Sequence, residues 1–176
     1  MSNYVTAIGL DVHARSIKAC ALNPMTGEVE RASFGYDPAS VAEWALGFES
    51  PKAVYESGVT GFHLCRALRA LGLDCAVGAV SKMQRPAADR GRKTDRRDAE
   101  FLARLLATRN VVEVWVPDGR TEAARDLSRA LADARDDLQR AKQRMSKFLL
   151  RHGHVFDEPT PTGGRRGNWT RAYWRW

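Results

Sequence analysis

Cysteine is scarce in this chain: Cys20, Cys65 and Cys75 are the only three in 176 residues. Three thiols at irregular spacing build neither a disulfide framework nor a zinc site, so we read them as buried groups of a reducing compartment. Long apolar runs are missing too, and no stretch approaches a membrane span. The opening MSNYVTAIGLDV has no basic region ahead of an apolar run and no cleavage site, which makes a cytoplasmic protein the expectation. Internal repeats are absent, excluding a solenoid. Acidic residues are missing from one place in particular, the final eighteen positions, 159–176.

What is present is a local surplus of positive charge. The chain carries 28 Lys and Arg against 21 Asp and Glu, a formal charge of +7. Residues 81–98 hold seven basic and three acidic side chains, and 159–176 hold four arginines, so the rest is close to neutral. Surplus concentrated in two segments suits a polyanion such as nucleic acid.

The hydrophobic pattern divides the chain into elements. YVTAIGLDV, SIKACALN and GEVERASFG read as three short strands, with PMTG turning between the second and third, hence an antiparallel meander. The period then changes: DPASVAEWALGFES is helical, KAVYES is a short apolar strand, GFHLCRALRALG is a helix closed by Gly72, and LDCAVGAV is a buried strand. Helices between apolar strands require parallel crossovers, so the sheet is mixed and at least partly covered. From Leu127 the apolar residues Leu131, Ala134, Leu138, Ala141, Met145 and Phe148 follow in steps of four and three, the seam of a long helix paired with another helix. The tail from Glu158 opens rich in Pro and Gly and ends in aromatics and arginines that begin another helix.

Carboxylates meet this framework at three places. Asp11 ends the first strand, Glu56 ends KAVYE, and Asp95 and Asp98 lead into the helix AEFLARLL. Asp95, Asp98, Leu102 and Leu105 are spaced by three, four and three, one stripe of one helix. The two aspartates thus prolong an apolar face, and burying like charges is costly unless a cation holds them. Four carboxylates that the topology could bring together are hard oxygen ligands suited to Mg2+ or Mn2+. His13 could touch a metal or phosphate, or simply cap the turn. Ser57 and Thr60 could position Glu56 or form a turn.

The order Asp11, meander, Glu56 and then KTDRRDAEFLARLL resembles the DEDD-type transposases of insertion-sequence family 110, along with IGLDVHARSIKACALN and VYESGVTGFHLCRALRALGL. The resemblance implies an α/β fold, an RNase H-like (RuvC-like) mixed sheet with flanking helices, followed by a long coiled-coil helix. It implies a catalytic domain over residues 1–118, a coiled-coil helix over 119–154, and over 155–176 a linker and the start of a further transposase region. That further region, bearing a serine nucleophile, lies outside these 176 residues. The family's tetrad falls on Asp11, Glu56, Asp95 and Asp98 as catalytic and metal-holding residues. Lys82, Arg85, Arg90, Arg92, Lys93, Arg96 and Arg97 are the basic side chains expected to bind nucleic acid. DNA, an element-encoded structured RNA and a second copy through the coiled coil are the partners implied.

Two other readings stay open on sequence alone. IGLDVHARSIKACAL also resembles the phosphate-binding hairpin of actin-like ATPases and sugar kinases, although VHAR supplies no glycine for backbone to approach a phosphate. A non-catalytic module that binds nucleic acid and pairs through its coil is the other.

Overall fold

A computed structural model describes residues 4–79 and 98–176 fully and residues 95–97 by their backbone alone. The chain divides into two compact units, Met1–Glu122 and Ala123–Trp176.

The first unit is built on the expected meander. Strands β1 (Thr6–Val12), β2 (Ser16–Leu22) and β3 (Val29–Gly35) pair antiparallel in sequence order. Helix α1 (Pro38–Leu46) starts where the Asp37 carboxylate accepts from the Ala39 and Ser40 amides and Pro38 takes a position needing no donor. It carries the chain over to β4 (Pro51–Glu56), which lies parallel to β1; helix α2 (His63–Ala70) then leads to β5 (Asp74–Gly78), parallel to β4. After α3 (Asp95–Ala107), a two-residue strand β6 (Glu113–Val114) closes the sheet antiparallel to β5. The order across the sheet is β3-β2-β1-β4-β5-β6, mixed as expected. The sequence reading missed β6, because two residues are too few to display a period of two.

Both faces are covered. Ile8, Leu10 and Ile17 pack with Tyr55, Val41 of α1 and Leu64 and Leu68 of α2 on one face. Helix α3 covers the other, where Leu102 and Leu106 meet Ala7, Val54 and Ala76, while Ala99 and Ala103 meet Cys20. The helix sits lower and slightly rotated from the expected stripe: Ala99, Leu102, Ala103 and Leu106 are buried, and Asp98 and Leu105 flank them half-buried. Gly9 is the reason. A Cβ there would overlap the Ala99 carbonyl oxygen and stand 2.5 Å from the Ala103 nitrogen, so α3 rests its backbone on β1 where β1 has no side chain. All three cysteines are buried and unpaired, and burial foremost, with Glu100 adding, pushes the Cys20 thiol up to about 11.

Helix α4 (Gly119–Arg151) begins in the first unit. The Glu122 carboxylate accepts from the Phe62 amide at 3.0 Å and from Arg66 at 2.5 Å, supplying the acceptor that the uncapped start of α2 lacks. Burial would raise this carboxyl, yet the Arg66 bond and the Phe62 amide outweigh it and hold it below its ordinary value.

In the second unit, the rest of α4 buries none of its side chains, with Leu131 at 51% and Leu138 at 55% exposure. The tail is more ordered than its Pro and Gly content suggests. Thr160 and Gly164 close a tight turn, Thr170 caps the short helix α5 (Arg171–Arg175), and Tyr173 is buried among Phe156, Trp169 and Trp176.

Candidate active site

Parallel pairing of β1 with β4 sets the site. Their ladder ends at Leu10 opposite Tyr55, which leaves Asp11 and Glu56 side by side at the carboxyl ends of two adjacent strands. Both lie on the face that α3 covers, because Asp11 is two residues beyond Gly9 and side chains alternate along a strand. Asp98, in the first turn of α3, reaches the same place. Asp11, Glu56 and Asp98 line one cleft of about 140 Å³, together with Leu10, Val12, Leu102 and residues 57–60. Crevices at the carboxyl ends of parallel strands are where open α/β sheets bind ligands.

The turn after Glu56 is held from beneath. The Tyr55 hydroxyl donates to the Gly61 carbonyl at 3.0 Å and accepts from the Cys65 amide, and the Ser57 amide donates to Gly78 at 2.9 Å. Burial raises the Tyr55 phenol, keeping it protonated and able to donate. Gly61, at φ +64, takes a left-handed conformation and lies under Glu122, where a Cβ would stand 2.7 Å from the carboxylate. Ser57 and Thr60 therefore line the cleft and also build its turn. At the β1–β2 turn, the His13 amide donates to Ser16 and its Nε2 lies 3.0 Å from Asp11 Oδ2, so this histidine touches a carboxylate of the cleft.

Asp95 opens α3 one turn before Asp98, with its side chain outside the described residues, as are those of Arg96 and Arg97. Lys82, Arg85, Arg90, Arg92 and Lys93 also fall outside the described residues. Among the described residues no three His, Cys, Asp or Glu stand close enough to hold a metal ion. In donor chemistry the cleft nevertheless fits one: carboxylate oxygens at a strand-end crevice are the ligands Mg2+ and Mn2+ prefer. A larger hollow of about 230 Å³ lies at the opposite ends of β1 and β2, lined by Glu28, Glu30, Glu49 and Thr6. Glu30 there accepts from the Trp44 indole, a structural use of the carboxylate.

One residue beside the cleft escaped sequence reasoning. Lys18 on β2 is directly opposite Asp11 and shares its face. The signal was available only through pairing register, since alternation in SIKACAL shows that Lys18 faces away from Ile17 but not what stands beside it.

Six mixed strands in this order, helices on both faces and acids at the ends of the central strands are the RNase H-like arrangement. The family model of DEDD transposases of insertion-sequence family 110, described as "Transposase", matches residues 8–153, and the chain belongs to this family. It is 41% identical over 150 residues to "Putative transposase y4qE" of Sinorhizobium fredii, covering 85% of this chain and 36% of that protein. Against the transposase for insertion sequence element IS1533 of Leptospira borgpetersenii it is 31% identical over 175 residues, 96% of this chain and 49% of the relative. The chain thus spans less than half the length of these curated relatives. No helix among the described residues is long and apolar enough to cross a membrane.

Proposed function

We propose that this chain carries the strand-cleaving part of an insertion-sequence transposase, with Asp11, Glu56, Asp95 and Asp98 as its catalytic carboxylates. The observation that carries this reading is the convergence of Asp11, Glu56 and Asp98 on one cleft from β1, β4 and α3. These four side chains would hold Mg2+ or Mn2+. A pair of such ions, when bound, activates an attacking oxygen and stabilises the leaving oxygen of a phosphodiester.

The protein's own groups have separate tasks. Gly9 lets α3 descend so that Asp98 approaches Asp11. Tyr55 fixes the turn that carries Glu56. Lys82, Arg85, Arg90, Arg92, Lys93, Arg96 and Arg97 supply positive charge for phosphates, contacts that set affinity and position without reading bases. DNA is the substrate, an element-encoded RNA the selector of sites, and a second copy joins through the α4 seam. The whole reaction also draws on the longer protein's serine-bearing region.

Titration calorimetry with Mn2+ tests the central step. The 176-residue chain should bind the ion, and Asp11→Asn, Glu56→Gln and Asp98→Asn should each abolish or strongly weaken that binding. Unchanged Mn2+ affinity in all three variants would overturn the site. For the basic segment, replacing Arg90, Arg92 and Lys93 with alanine should flatten the salt dependence of DNA binding by about 0.9 in log–log slope per lost phosphate contact.

A further inference from the structure

The row of side chains that begins with Glu56 and Asp11 does not stop at the cleft. Pairing register carries it across β2 and β3: Asp11 stands opposite Lys18, and Lys18 stands opposite Ser33. All four residues therefore share the face that α3 covers further along the strands, where Cys20 meets Ala99 and Ala103. Lys18 is half-buried and Ser33 exposed.

What Lys18 does with its charge is informative. A cross-strand lysine beside an aspartate ordinarily pairs with it. Here its Nζ donates to Ser33 Oγ at 2.6 Å, on the side away from the cleft, while Asp11 meets His13. The ammonium retains two further N–H donors, and a hydroxyl stands next to it. Adjacent strands lie about 4.8 Å apart, so Lys18 stands one strand and Ser33 two strands from Asp11, beside the carboxylates and outside their ligand set.

We propose that Lys18 and Ser33 form a phosphate subsite, which binds a backbone phosphate of the nucleic-acid strand next to the one held at the carboxylate cleft. The inference rests on the reading of that cleft as a strand-cleaving site. Its chemistry is charge-assisted: an ammonium and a hydroxyl donate to phosphate oxygens, and no base is read. The subsite would orient the backbone as it crosses from β3 and β2 towards Asp11, fixing the direction in which the strand enters.

Fluorescence anisotropy of the 176-residue chain with a labelled DNA duplex at several salt concentrations tests this, alongside Mn2+ calorimetry. Lys18→Met keeps the aliphatic stem and removes the charge. It should weaken DNA binding about tenfold and lower the log–log salt slope by about 0.9, one phosphate contact. Lys18→Arg should restore the slope, Ser33→Ala should weaken binding by a smaller factor without changing it, and Mn2+ affinity should stay at the wild-type value throughout. An unchanged slope in Lys18→Met overturns the subsite, as does a wild-type chain that does not bind the duplex. Loss of Mn2+ affinity in Lys18→Met overturns it too, since Lys18 would then be supporting the sheet. A wild-type chain that binds DNA with the expected Lys18 dependence but no Mn2+ would instead sink the cleavage reading and leave phosphate binding standing.

Discussion

The sheet unit and helix α4 use the same apolar residue types to opposite effect. Ile8, Leu10, Leu64 and Leu102 lie within 1% of complete burial, whereas Leu127, Leu131, Leu138, Met145 and Phe148 on α4 are between 48% and 73% exposed. In the sheet unit the chain supplies both surfaces of every contact. Along most of α4 it supplies one surface, a seam with a regular four-three spacing over a helix about 50 Å long. Near the end of the helix Met145 and Leu149 share a hollow with Trp169, Tyr173 and Trp174 of the tail. Hydrophobicity alone therefore does not decide burial; geometry decides whether a facing surface exists within the same chain. Local ion pairs such as Arg129–Asp126 and Arg140–Asp137 support the α4 helix but add little stability on an exposed face.

The largest break in this contrast should come from Gly9. Gly9→Ala forces a methyl into the backbone of α3, and overpacking of this kind should cost about 3 kcal/mol. Hydrogen exchange in β1 and α3 peptides should accelerate about a hundredfold, while peptides from the second half of α4 exchange as before. Wild-type protection in β1 would mean that α3 does not rest on the strand as described.

The opposite experiment spares the sheet and attacks the seam. Leu131→Glu with Leu138→Glu should convert a dimer to monomer in sedimentation. Four leucines removed per pair, at about 1.5 kcal/mol each, weaken association on the order of 10⁴-fold. A wild-type chain that sediments as a monomer at high micromolar concentration would remove the paired-helix proposal.

The smallest expected effect sharpens the boundary between the two regions. Glu122 has a folded pKa held below its ordinary value of 4.5. A depressed carboxyl contributes its stability in full above the unfolded pKa and loses it as pH falls through the folded one. Glu122→Gln should therefore cost about 1 kcal/mol at pH 7, a value reduced for partial exposure, with the difference from wild type closing below pH 4.5. Thermal melts across that range measure it. Glu100, lowered by its bonds from Arg31 and then Arg104, should follow the same direction. A gap that persists at low pH would assign the loss to packing.

Much of the site was legible because its residues mark the ends of elements. Asp11 and Glu56 stand at the ends of apolar strands, and Asp98 lies in the first turn of a helix whose spacing is plain. The face of α3 was legible only approximately. Its period predicted a stripe through Leu102 and Leu105; Leu102 is buried, but Leu105 is only half-buried, and Ala99 and Ala103 complete the contact, set by Gly9 far earlier in the chain. Such a contact leaves no trace in local periodicity.

By itself the sequence determined the mixed sheet, the order of its elements apart from β6, the acids at strand ends and the four-three seam of α4, because propensity and periodicity act within a few residues along the chain. Tertiary structure alone decided which acids share a cleft, how closely α3 lies on β1, and that Lys18 stands between Asp11 and Ser33. Those facts depend on strand register and on the approach of backbones distant in sequence, and neither is encoded in any single segment.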